Sequence, residues 1–242
     1  MPSPVLAVNG LKMSFGAAEV FKNISFSVAP GETMGLFGKS GSGKTTIGRC
    51  IVGLEKPTEG EILVHGKNIL SMGKKEFRDL RPKIQMIFQH PETSLGPRMK
   101  AFDSLVEPLR VRTGLKKAEL LEKGEELAEL TGLRPEHLAR YPNQLSGGEI
   151  QRVVLARIMS LSPDFVVADE PTSMLDVSVQ AQILRLMQKV QRETGVSYLL
   201  ISHDLDVLRK VCHRIAYLEN GNIASIEDVR KKEVSKHARS RK

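Results

Sequence analysis

The sequence predicts an α/β fold, and three observations predict it. Short apolar stretches at 33–37, 84–88, 165–168 and 196–201 read as buried strands, and stretches with apolar residues at helical spacing lie between them. The first of these strands runs into Gly38-Lys39-Ser40-Gly41-Ser42-Gly43-Lys44-Thr45, a full match to G-x-x-x-x-G-K-[ST], and then into a helix over 46–54. The strand at 165–168 ends in two adjacent carboxylates, Asp169 and Glu170.

Residues 5–8 and 20–28 read as strands broken by turn residues, and 29–32 turns the chain into the strand at 33–37. Phe15 lies between the first two; alone it is better explained as a core residue, although an aromatic face there could stack on an adenine ring. The glycines of 38–45 let backbone N–H groups point inward, and the following helix offers the positive end of its dipole. Lys44 suits the β- and γ-phosphates of a nucleotide, and the Thr45 hydroxyl suits Mg²⁺. A glycine-serine loop that merely turns the chain is the bland alternative, which the flanking strand and helix disfavour. Beyond a turn at 57–60 comes a short strand at 61–64, and the strand at 84–88 ends at Gln89, which can reach a metal or a water.

Residues 91–161 change character. Helices are expected at 103–111, 116–130 and 149–159, as an insert between strands. Ser146 and Glu149 have the spacing of a capping box at the start of the last helix. Ser146, Gly147 and Gly148 also form a second anion cradle at a helix start, without a lysine of its own. Asp169 can hold Mg²⁺ opposite Thr45, while Glu170 can orient or deprotonate a water. Past 172–176 comes a helix over 177–191 with Val179, Ile183, Leu186, Met187 and Val190 inward. The strand at 196–201 leads to His203, within reach of a γ-phosphate or of Glu170, and 215–219 with 222–225 reads as a hairpin around Asn220-Gly221.

The 242 residues, 40% hydrophobic and 26% charged, suit one elaborated domain or two small ones. No apolar run approaches the roughly 18 residues of a membrane span. Cys50 and Cys212 form no framework or metal spacing and read as buried small hydrophobes, fitting a reducing cytosol. Most of the +8 net charge comes from a basic tail, read as a solvated end because no aromatics interleave it.

In this order the stretches resemble the nucleotide-binding subunits of ATP-binding cassette (ABC) transporters, over residues 5–226. The resemblance implies a P-loop NTPase ABC cassette with a RecA-like core, an antiparallel β subdomain and a helical insert. It divides the chain at 1–90 (antiparallel β subdomain and Walker A), 91–161 (helical signature subdomain), 162–226 (Walker B, D-loop and switch histidine) and 227–242 (basic tail). It implies ATP and Mg²⁺ as cofactors. Nucleotide contacts fall to Phe15, Gly38, Lys39, Ser40, Gly41, Ser42, Gly43, Lys44, Thr45, Thr46, Gln89, Ser146, Gly147 and Gly148. Metal contacts fall to Thr45, Gln89 and Asp169, and catalytic roles to Glu170, His203 and Lys44.

Residues 88–99 and 171–182 are similar to the di- and oligopeptide/nickel importer branch. Lys39 replaces an acidic residue usual there, Glu149 replaces the commoner Gln of the signature, and a basic tail stands where many peptide members extend further, which leans toward nickel or metal-chelate members. The resemblance implies an ATPase at the cytoplasmic face of a membrane, peripheral, energising import of peptides or nickel chelates. Its implied partners are transmembrane permease subunits, a second and paralogous ATPase subunit or a copy of itself in an ATP sandwich, and indirectly a solute-binding protein; no nucleic acid is expected. A soluble ABC ATPase of a carbon–phosphorus lyase-like assembly and a nucleic-acid-associated ABC protein are the alternatives. Leu95, Pro97 and Met99, apolar in a polar loop, are expected either to dock a membrane-subunit helix or to tuck beneath the insert.

Overall fold

The computed structural model describes residues 3–230. The chain opens with the antiparallel pair β1 (Leu6–Phe15) and β2 (Ala18–Val28). The first strand was expected to end at residue 8, but β1 runs on through Asn9 and Gly10 to Phe15. Gly10 takes φ 59°, and the register shifts between Val8 and Leu11. This bulge absorbs an extra residue and keeps Leu6, Val8 and Leu11 buried.

β3 (Thr33–Gly38), α1 (Lys44–Ile51), β4 (Glu59–Val64) and β5 (Lys67–Asn68) follow. Next is α2 (Lys74–Leu80), absent from the sequence reading because it buries no residue and so shows no apolar stripe. β6 (Ile84–Ile87) leads into the helical insert: α3 (Ala101–Arg112), α4 (Lys117–Thr131), the single turn α5 (Pro135–Leu138) and α6 (Gly147–Met159). The chain returns through β7 (Phe165–Asp169), α7 (Val177–Thr194), β8 (Ser197–Ser202), the short α8 (Leu205–Val211), β9 (Arg214–Glu219) and β10 (Asn222–Asp228). Asn220 (φ 48°) and Gly221 (φ 74°) make the expected β9–β10 turn, both in the left-handed region that a two-residue hairpin demands.

Among the described residues, ten strands form one sheet in the order β5-β4-β1-β2-β10-β9-β3-β8-β7-β6. From β9 to β6 all neighbours are parallel, whereas β1, β2, β4 and β5 are antiparallel. Side chains alternate across the parallel strands. Phe165, Val167, Leu199 and Ile201 pack with α1 and the antiparallel strands, while Val166, Ala168, Tyr198 and Leu200 pack with the insert, α7 and α8. Both cysteines are free and buried, and burial pushes the Cys50 thiol up to about 12.

Two expectations change. Leu95 is only 4% exposed and belongs to the core beneath the insert, so it is no docking residue; Pro97 is exposed and Met99 half-buried. Leu95→Asp is therefore expected to destabilise the chain by about 3 kcal/mol, a buried charge added to a lost apolar contact. An unchanged midpoint of thermal unfolding would restore the surface reading. The core also passes residue 226: β10 reaches Asp228, and Val229 is buried, its N–H donating to the His213 carbonyl at 2.9 Å. The remainder of the basic tail from residue 231 lies outside the described residues.

Candidate active site

Strand register brings the separate motifs to one edge. Phe37 lies opposite Ser202, Ile201 opposite Asp169, and Ala168 opposite Ile87. The loop after β3, His203 after β8, Asp169-Glu170 on β7 and Gln89 after β6 therefore all leave the carboxyl ends of neighbouring parallel strands, where open α/β sheets bind ligands. Gln89 is exposed there.

The loop after β3 enters α1 at Gly43 with φ 95° and no side-chain cap, so the first N–H groups of α1 remain available to an anion. A Cβ on Gly43 would lie 2.9 Å from Val20 Cγ1, so glycine there serves both the backbone turn and the close approach of β2. Phe15 pairs with Ala18 across the hairpin turn, two residues from Val20. It is 54% exposed, so the core reading fails and the ring is free to stack. A cleft of about 560 Å³ runs along the loop, lined by Val20, residues 37–42 and the β9–β10 turn. Lys39 and Ser40 are exposed, and Ser42, Thr45 and Thr46 are half-buried.

Lys44 is 6% exposed, and its Nζ donates to the carbonyls of Gly38 (2.8 Å) and Lys39 (2.9 Å). Burial lowers its pKa, while the Glu170 and Asp169 carboxylates oppose that shift. Asp169 is 3% exposed. Burial raises its pKa, a hydrogen bond from the Thr45 side chain acts the other way, and its Oδ1 has no partner among the described residues. An orphaned buried carboxylate oxygen beside a hydroxyl is costly unless a cation completes it. Among the described residues no group of three His, Cys, Asp or Glu could hold a metal by itself. The pair therefore suits a hard ion such as Mg²⁺, which draws its other ligands from phosphate and water.

Glu170 is a non-glycine residue at φ 46°, a conformation that costs about 1–3 kcal/mol and persists only where surroundings enforce it. Its N–H donates to the Ile201 carbonyl at 3.0 Å, and its Oε1 lies 2.7 Å from Nδ1 of the more exposed His203. Two groups that the sequence reading missed hold this segment. Gln151, buried in α6, donates from Nε2 to the Pro171 carbonyl, and Gln180 donates to Thr172 Oγ1 at 3.0 Å. A glutamine amid the apolar residues of 150–159 was the available signal for the first.

Ser146 caps α6 as expected: its N–H donates to Glu149 Oε2 at 2.8 Å, and its Oγ accepts from the Glu149 N–H at 3.4 Å. Ser146 and Gly147 are exposed. The two glycines serve packing as well as any anion. A Cβ on Gly147 would meet Leu175 Cδ2 at 2.8 Å, and one on Gly148 would meet Val179 Cγ1 at 2.7 Å. The start of α6 is thereby seated on the segment that carries Asp176, which caps α7 through the N–H groups of Ser178 and Val179.

Residues 21–173 match the family described as ABC transporter. The oligopeptide transport ATP-binding protein OppF of Streptococcus mutans is 46% identical over 205 residues, covering 84% of this chain and 67% of that protein. OppF of Bacillus subtilis is 40% identical over 232 residues, covering 93% and 76%. Among solved structures, a dimeric ATP-binding cassette in a post-hydrolysis state bound to ADP and Pi superposes with a TM-score of 0.82 at 30% identity, over 93% of this chain and 98% of that one. With its fold, its phosphate loop and its carboxylate pair in agreement, the chain belongs to the ABC transporter family, as one of its ATP-binding cassettes.

Proposed function

We propose that this chain hydrolyses ATP to energise a peptide importer, as one half of a two-cassette assembly. The observation that carries this reading is the presence of two anion cradles in one chain. The loop before α1 lies beside Lys44 and beside the carboxylates Asp169 and Glu170 at the end of β7, one suited to a metal and one to water; the start of α6 has no such set and faces outward. A second cassette, paralogous or identical, completes each site by bringing its own α6 start to the nucleotide. The dimeric cassette that superposes on the chain supports that arrangement.

Phosphoryl transfer depends on positioning and charge neutralisation. Phe15 stacks on the base, and the N–H groups of 38–46 with Lys39 and Lys44 surround the phosphates. Glu170 accepts the proton of the attacking water, and His203 orients Glu170 across their 2.7 Å contact. Thr45, Asp169 and Gln89 would hold Mg²⁺, which neutralises phosphate charge when bound. Gln89 at the edge of the insert, with His203, senses the γ-phosphate.

The OppF relatives favour peptides over nickel or metal chelates, and over a soluble assembly or a nucleic-acid role. None of the described helices is long and apolar enough to cross a membrane. Attachment at the cytoplasmic face would come through permease subunits, with a solute-binding protein delivering cargo. Deleting the chain from its host is expected to abolish uptake of a labelled oligopeptide; unchanged peptide uptake with loss of nickel uptake would move the assignment to metal chelates. The purified chain is expected to be monomeric without nucleotide and to self-associate only weakly with ATP, as light scattering would show.

A further inference from the structure

The start of α6 is held by a residue outside the signature. His137, on the single turn α5, is 5% exposed. Its Nδ1 accepts the backbone N–H of Arg134 at 3.3 Å, which leaves the ring proton on Nε2. Nε2 lies 3.0 Å from Glu149 Oε1, while Oε2 of the same carboxylate accepts the Ser146 N–H at 2.8 Å. Arg134 approaches the same ring nitrogen through Nη2 at 3.1 Å and pairs with Glu136 through Nη1. The Ser146 hydrogen bonds above all, with positive charge from Arg140, hold the Glu149 carboxyl below its usual range against desolvation.

Each oxygen of Glu149 thus has a different task. One is anchored to a buried ring in α5, and the other fixes the backbone of Ser146 at the mouth of the second cradle. A glutamine at 149 has one acceptor oxygen and an amide that only donates, so it could not serve the His137 N–H and the Ser146 N–H in this way. The glycines beside it already abut Leu175 and Val179, so the α6 start is located from one side by packing and from the other by this relay.

We propose that His137 is a positioning residue for the composite ATP site: through Glu149 it sets the orientation of the Ser146–Gly148 cradle presented to a nucleotide on the facing cassette. This role rests on the two-cassette reading. It predicts that His137 affects turnover while leaving nucleotide binding by the separate chain alone, because that binding uses the loop before α1.

The test measures phosphate release by the full chain at saturating ATP over a range of chain concentrations, and ATP affinity of the dilute chain by calorimetry. His137→Leu removes the donor and is expected to lower turnover about tenfold, with affinity unchanged within about twofold. His137→Gln can still donate to Oε1 and is expected to retain about half the wild-type rate. Glu149→Gln should lose about as much as His137→Leu, and the double variant about as much as either alone, since both break one relay. Equal loss in the Leu and Gln variants of His137, additive losses in the double variant, or a parallel loss of ATP affinity would each overturn the role. Where His137→Leu fails to fold, wild-type turnover in Glu149→Gln overturns it equally. A wild-type rate per chain that does not rise with chain concentration would instead overturn the pairing of two copies of this chain on which this assay of the role rests.

Discussion

Glu170→Gln is expected to lower the rate of ATP hydrolysis by roughly a hundred- to ten-thousand-fold, the usual contribution of a positioned general base. The amide keeps the size of the side chain and the backbone at φ 46°, so the turn from β7 into Pro171 should survive, with the Glu170 N–H still bonded to Ile201. It removes only the carboxylate that can take a proton from water. ATP affinity should therefore stay within about twofold, because the Lys44 cradle is unchanged. Phosphate release under steady state, set beside an ATP titration by calorimetry, separates the two quantities. Hydrolysis near the wild-type rate would remove Glu170 from the chemistry, and a matching fall in affinity would make it a binding residue.

Lys44→Ala is expected to act on binding itself, weakening ATP about a hundredfold, as loss of a charge-assisted contact in a partly desolvated site should. The Lys44 Nζ lies against the Gly38 and Lys39 carbonyls, so the loop itself holds the charge at the proposed phosphate site. The substitution also strips the positive partner from Asp169 and Glu170, whose fields oppose the lowering of the Lys44 pKa. An incoming triphosphate would then meet two carboxylates with less opposing charge. Calorimetry on wild type and variant measures the ratio directly. Equal affinities would mean that the loop N–H groups suffice and that Lys44 serves only the shape of the loop.

The sequence by itself determined the parts of the site that lie close together along the chain. The phosphate loop is contained in eight consecutive residues, where glycine spacing, a lysine and a threonine state the backbone path and the charge at once. Asp169 and Glu170 are legible for a related reason: an apolar strand ending in two carboxylates leaves few places for them except the end of a sheet. The capping box at Ser146 and Glu149 and the left-handed pair Asn220-Gly221 are likewise local, and the structure repeats them. Strand ends shifted where a bulge could hide a turn signal, as at Gly10.

What only the tertiary structure decided depends on contacts between residues distant in sequence. Leu95 and Phe15 are both apolar residues beside turns, yet one is buried beneath the insert and the other exposed at a hairpin tip. No periodicity distinguishes them, because each outcome is set by which element packs overhead. Gly147 and Gly148 read as phosphate ligands, and their second duty, admitting Leu175 and Val179, exists only once α6 meets the segment before α7. The same holds for Gln151 on the Pro171 carbonyl and for His137 on Glu149, polar groups whose burial is tolerable only because a partner from another element meets them. A single residue type in a sequence shows what a side chain can donate or accept; the packing of helices against the sheet determines which partner it finds.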